Sequence, residues 1–171
     1  MKDTHFFLGF TLTELLAVII IISILSGLSV GYYKRSVEQS RFSEGLAAAG
    51  AVVEALNRAY LDEQFEGGSA PGEGKVHSFK TLDVSVGDNC ASENCQTTPN
   101  FVVYITTNSN QEVVRAYRGS DKNGPYYIEM YPNYDSNKDK ITCVGNNNSE
   151  EGKTFCQSMG YVSCSGYVCT K

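Results

Sequence analysis

Leu15-Leu16-Ala17-Val18-Ile19-Ile20-Ile21-Ile22-Ser23-Ile24-Leu25-Ser26-Gly27-Leu28-Ser29-Val30 is a run of sixteen residues without a charge. Carried back to Phe10 it covers 21 residues and takes in one charge, Glu14. At about 1.5 Å per residue, a helix of that length spans roughly 30 Å, the apolar thickness of a bilayer. Lys34 and Arg35 follow it, where a headgroup layer would lie. An ordinary export signal has a basic start and a shorter apolar stretch ending in a small-x-small cleavage site. Gly27-Leu28-Ser29 offers such a site, but the start holds only Lys2, offset by Asp3. A carboxylate at the front of the apolar run does nothing for export. An acid at membrane depth costs free energy and reads as functional.

Past this run the pattern stays helical and becomes one-sided. Phe42, Leu46, Ala49, Val53, Leu56 and Tyr60 recur at spacings of three and four, which is one stripe on an α-helix. Ser36, Glu38, Gln39, Arg41, Glu44, Glu54 and Arg58 fall mostly off the stripe. Ala47, Ala48, Ala49 and Ala51 favour helix, while Gly45 and Gly50 each weaken it by up to about 1 kcal/mol relative to Ala. The first proline after this stretch is Pro71, and Gly67-Gly68 with Pro71-Gly72 ends the pattern. The reading is one helix from about Phe10 to Asp62, roughly 80 Å long. Residues 10–33 are apolar on all sides, and residues 34–62 are amphipathic.

The remainder, residues 63–171, reads as a globular head. Glu66 to Lys75 is a Gly-rich loop, His77 to Val86 suits a short strand, and Cys90 to Pro99 is polar and turn-like. Phe101 to Thr107 is rich in β-branched and aromatic residues, Asn108-Ser109-Asn110 is a turn, and Gln111 to Arg118 returns as a hairpin strand. Tyr126 to Tyr131 makes a third strand and Lys140 to Val144 a fourth. Gly145 to Thr154 is polar, with little apolar surface to order it.

Net charge is −5. Nucleic-acid binding rests on neutralising phosphates, so no nucleic-acid partner is expected. The six cysteines, Cys90, Cys95, Cys143, Cys156, Cys164 and Cys169, all follow the apolar run, as disulfides in an oxidising compartment would. Zinc sites favour cysteines two to four apart or a Cys/His mix, and the two close pairs here are five apart.

Gly9-Phe10-Thr11-Leu12-Thr13-Glu14-Leu15-Leu16, followed by the apolar run, resembles the prepilin processing motif. In that motif a short leader ends in Gly, an aromatic opens the mature chain, and Glu is the fifth mature residue. On these residues the chain is similar to the type IV pilins and to the pseudopilins of type II secretion systems. The resemblance implies that residues 1–9 are a leader, that a prepilin peptidase cuts between Gly9 and Phe10, and that Phe10 is then N-methylated. It implies an α+β, pilin-like fold: a long helix whose first half (10–33) is transmembrane and later lies in a fibre core. The second half (34–62) packs on an antiparallel sheet of about four strands, in a head that ends in a disulfide-bonded loop.

The implied partners are other pilin subunits in a homopolymer, the peptidase, an inner-membrane assembly platform, and the membrane itself before assembly. The implied location is the inner membrane for the precursor, then an extracellular pilus or a periplasmic pseudopilus. A pilus subunit is the leading reading. A secretion pseudopilin and a non-polymerising, membrane-anchored adhesin are the alternatives.

Glu14 carries the implied assembly chemistry. Cleavage would free an α-amino group with a pKa of about 8, hence cationic at neutral pH. In the family the fifth-position Glu faces the amino terminus of a neighbouring subunit. Each charge lowers the other's desolvation cost, and removing one strands the other. Six cysteines allow fifteen pairings. By resemblance to pilins that clamp a C-terminal loop, the preferred pairing is Cys143–Cys156 with local Cys90–Cys95 and Cys164–Cys169.

Asp135, Asn137 and Asp139 have the alternating oxygens that open a calcium loop, but Lys140 stands where Gly is needed and Asn146 where Glu is needed. The segment reads as a solvated turn, and no metal or cofactor is expected. Catalysis has little footing. His5 falls in the leader, His77 has no nucleophile or orienting acid identifiable around it, and no phosphate loop or HExxH is present. The eleven tyrosines read as core and packing surface, and the chain reads as a non-enzyme.

Overall fold

The computed structural model describes residues 11–65, 76–108, 111–138 and 140–171. The chain divides into two compact units, residues 1–40 and 41–171, and helix α1 (Leu12–Phe65, 54 residues) contributes to both.

In the first unit the helix runs through the apolar segment. Ser23 keeps its hydroxyl inside the helix by donating to Ile19 O at 2.6 Å, the usual way a serine satisfies itself on an apolar helix. Among the described residues no single helix is long and apolar enough to cross a membrane. The pieces Leu12–Gly27 and Val30–Glu63, bent at the break between them, have the length and composition together. The single membrane-length helix expected from sequence is thus a bent pair. Gly27 and Gly31 flank the break, and a Cβ at either would meet nothing within 4 Å. Gly and Ser together are a common cause of helix bending.

The second unit is a helix packed on an antiparallel sheet. Phe42, Ala49, Val53 and Leu56 of the stripe are buried, joined by Val52 and Ala55. They face Phe101, Val103 and Ile105 from one strand, Val114 and Ala116 from the next, and Tyr126 and Ile128 from a third, all in one core. Burying each large side chain of this set contributes about 1.5–3 kcal/mol.

Among the described residues the sheet has eight strands, in chain order β1 (Asp88–Asn89), β2 (Cys95–Thr97), β3 (Phe101–Asn108), β4 (Gln111–Arg118), β5 (Tyr126–Met130), β6 (Ile141–Gly145), β7 (Ser163–Ser165) and β8 (Val168–Thr170). Their order across the sheet is β1-β2-β3-β4-β5-β6-β8-β7, every pair antiparallel. The expected count of about four is therefore corrected to eight. The four middle strands lie where β-branched and aromatic residues placed them. The four additional strands are two or three residues long, too short and polar to display alternation. His77 to Val86, read as a strand, is turns and irregular chain instead.

The polar stretch after Val144 is also ordered, contrary to expectation. A short 3-10 turn (Asn146–Asn148) leads into helix α2 (Glu150–Ser158). Ser149 caps α2 by accepting from Gly152 N, and Glu150 and Glu151 fill its first turn, where carboxylates suit the helix dipole. Asn146 is buried and donates to Lys122 O and Gly124 O at 2.6 and 2.8 Å. Gly152 lies so close to Pro125 O that a Cβ would stand 2.0 Å from it. Order here comes from long-range hydrogen bonds and close backbone approach, which a composition-based reading cannot register.

Candidate functional site

Two places in the described chain carry chemistry that the fold alone does not require. The first is the start of α1. Thr11 N donates to Glu14 Oε2 at 2.9 Å, Thr11 Oγ1 donates to the same oxygen at 2.8 Å, and Glu14 N donates back to Thr11 Oγ1 at 3.3 Å. Thr-x-x-Glu with reciprocal bonds is a capping box: it satisfies amide donors that a helix start leaves open. Both bonds land on Oε2, and Oε1 takes none from the described residues.

Beyond this box, eleven large aliphatic side chains from Leu12 to Val30 are exposed, Leu12 at 79% and Ile24 and Leu25 at 60%. Removing what they expose from water would contribute gross stabilisation of roughly 10–20 kcal/mol. An apolar patch of that extent marks a membrane or protein contact. Gly9 and Phe10, the expected processing residues, lie outside the described residues.

The second place lies in the head. His77 Nδ1 is 2.8 and 3.0 Å from the two oxygens of Glu112, and His77 N donates to Glu112 Oε1 at 2.5 Å. Tyr134 OH donates to Glu112 Oε2 at 2.6 Å and stacks on Tyr60 at 4.4 Å between ring centroids. On its other side His77 Nε2 stands 3.4 Å from Glu63 Oε1 and makes no hydrogen bond. The side chains of His77 and Glu112 are 6% and 1% exposed.

The hydrogen bond to Glu112 raises the His77 pKa above its ordinary value, against the opposing effect of burial. Burial pushes Glu112 up, but the bonds from His77 and Tyr134 outweigh it and hold the carboxyl below its usual range. The Tyr134 phenol is raised, first by burial and then by Glu112.

The sequence reading left His77 without an orienting acid, and Glu112 supplies one. The signal was present: in β4, Glu112 shares its face with Val114 and Ala116, the core face, and a carboxylate there requires a partner. Among the described residues, Nε2 faces the Glu63 carboxylate rather than a hydroxyl or thiol.

A third polar group lies on the opposite sheet face. Glu129 accepts from Arg115 Nε at 2.6 Å and from Tyr131 OH. Burial first, then Glu129, push the Tyr131 phenol up to about 12. Tyr104, Tyr117 and Tyr127 line the same face, with Lys122 over Tyr104 and Arg115 over Tyr127. Tyr126 and Tyr161 are core.

All six cysteines are in disulfides, Cys90–Cys95, Cys143–Cys156 and Cys164–Cys169. Asp135 is buried and accepts from Asn137 N at 2.6 Å, and Asp139 lies outside the described residues. Among the described residues no group of three or more His, Cys, Asp or Glu is placed to hold a metal ion. No protein-family model, curated protein or solved structure matches the chain.

Proposed function

We propose that the chain is a non-enzymatic structural subunit of a type IV pilus, made as a membrane-anchored precursor and polymerised through the first half of α1. The observation that carries this reading is the exposed, charge-free aliphatic surface from Leu15 to Val30, with a single acid, Glu14, held at its leading end. Such a surface leaves a bilayer only for an equally apolar place, and a bundle of identical helices provides one.

Glu14 fits both environments. In the precursor the capping box satisfies one carboxylate oxygen locally. In the fibre the second oxygen would face the freed amino group of Phe10 on a neighbouring subunit. The pair favours the register in which neither charge is left alone. The disulfide-bonded head suits an oxidising compartment.

The test is the yield of sheared surface filaments from cells carrying Glu14→Ala. The variant should be processed and inserted like the wild type, yet enter filaments poorly. Wild-type filament yield from that strain would defeat the reading. Loss of secretion with no surface fibre, on deleting the gene, would move the subunit to a secretion pseudopilus.

A further inference from the structure

We propose that His77 Nε2 and Glu63 Oε1 form a site for a divalent transition-metal ion, zinc above all, at the end of α1. Two observations carry it: a buried ring nitrogen without a hydrogen-bond partner among the described residues, and a carboxylate oxygen beside it on the border of an open groove.

The ring is prepared from its far side. Glu112 is 1% exposed, and its two oxygens lie 3.0 and 2.8 Å from His77 Nδ1. An ionised carboxylate only accepts, so Nδ1 carries a hydrogen. His77 N and Tyr134 OH also donate to Glu112 and fix it in place. A metal-ligating histidine almost always donates its other ring N–H in this way, which sets the ring's orientation and raises the basicity of the remaining nitrogen. That nitrogen is Nε2. The His77 side chain is 6% exposed and lines the groove. A buried polar atom left open costs free energy until something meets it.

Glu63 Oε1 stands 3.4 Å from Nε2. That is long for a hydrogen bond, yet it suits two ligands of one ion. Bonds of about 2.0–2.1 Å to imidazole and about 2.0–2.2 Å to carboxylate, at a tetrahedral angle, hold N and O roughly 3.4 Å apart. A right angle, as in octahedral sites, would bring them to roughly 2.9 Å. An imidazole and a carboxylate at the tetrahedral spacing favour zinc. The ion takes one lone pair of Glu63. A carboxylate has about four acceptor positions, so the other contacts of Glu63 persist beside it.

Asp62 and Asp83 line the same groove, which has a volume of about 490 Å³. Asp83 is engaged by Arg58 in a bidentate pair at 2.8 and 2.9 Å. Asp62 precedes Glu63 on the helix, and consecutive helical residues do not face the same way. Two side chains are therefore in place, and water from the groove completes the shell. Such a site exchanges its ion with solvent, unlike a closed structural one. A proton displaced from Nε2 by the ion passes to water. The bound ion links the last turn of α1 to His77 and, through Glu112, to β4. The site belongs to the head and does not depend on assembly.

Thermal unfolding of the full chain in detergent micelles, with zinc chloride added at neutral pH, tests this. A His5→Gln background leaves His77 as the one imidazole. There zinc should raise the melting temperature by about 2 °C or more at saturation, and calcium at the same concentration should not. Glu63→Gln should lose the rise, because a carboxamide is a poor zinc ligand and donates to Nε2 instead. No rise with zinc, or an equal rise with calcium or in Glu63→Gln, overturns the proposal and leaves an ion pair only. If Glu63→Gln does not fold, the ¹⁵N resonance of His77 Nε2 in the background protein decides. Displacement by zinc and not by calcium supports the site, and a resonance that zinc leaves unmoved overturns it.

Discussion

Phe101 occupies the notch that Gly45 leaves in α1: its ring atoms Cε1 and Cζ lie 2.8 Å from where a Cβ on Gly45 would stand. A glycine inside a helix weakens it by up to about 1 kcal/mol relative to alanine. Here the missing side chain lets β3 approach the helix. Gly45→Ala should therefore destabilise the head, because overpacking of about 1–3 kcal/mol exceeds the helix-propensity gain. The ring cannot swing aside, being fully buried against Tyr126. Gly50→Ala is the matched comparison. Its Cβ would find only Met130 Cε, at 4.0 Å, so it should stabilise slightly. Thermal unfolding of the two variants should move in opposite directions.

Glu44 fixes the same stretch of helix to the turn between β2 and β3. It accepts from Thr98 Oγ1 and Asn100 Nδ2 at 2.6 Å each and from Asn100 N at 3.3 Å. Burial pushes its carboxyl up, but these bonds and the charge of Arg118 outweigh that and lower the pKa. A lowered carboxylate contributes stability above its unfolded pKa of about 4.3 and loses it as pH falls through the folded value. Glu44→Ala should cost about 1.5–3 kcal/mol near neutrality. It should also flatten the acid limb of a stability profile measured by denaturant unfolding.

The Cys143–Cys156 bridge joins β6 to α2 across a separation of 13 residues. Cys143 and Cys156 are both in the main core; Cys169 is too, with Cys164 packed against it, but their bridge closes a hairpin that its own strand pairing already holds. Replacing Cys143 and Cys156 together by serine should cost about 2–5 kcal/mol, and α2 should lose its amide protection first. The equivalent change at Cys164 and Cys169 should cost less. Ranking the melting temperatures of the two double variants checks this.

The parts of the fold that sequence displayed are those with long, uniform periodicity. The spacing of Phe42, Ala49, Val53 and Leu56 gave the helix and its buried face, and the β-branched run Phe101 to Thr107 gave an interior strand of the sheet. What stayed hidden depends on partners distant in sequence. The additional strands exist because Cys95 to Thr97 meets Tyr104 to Val102 and Thr142 to Val144 meets Thr170 to Val168. Asn146 orders its segment by reaching Lys122 and Gly124.

At the candidate sites the same division holds. Glu14 stood out because a charge interrupts an apolar run. Its bonding to Thr11 is a local pattern that Thr-x-x-Glu also displays. His77 and Glu112 are 35 residues apart, and only the alternation of β4 hints that one of them needs the other.

The measurement that bears most directly on the assembly reading is the amino terminus of the protein recovered from cells. Intact mass and N-terminal sequencing should give a chain that begins at Phe10, one methyl group heavier than the unmodified residue. A terminus near Val30, or one retaining the first nine residues in filaments, would contradict it.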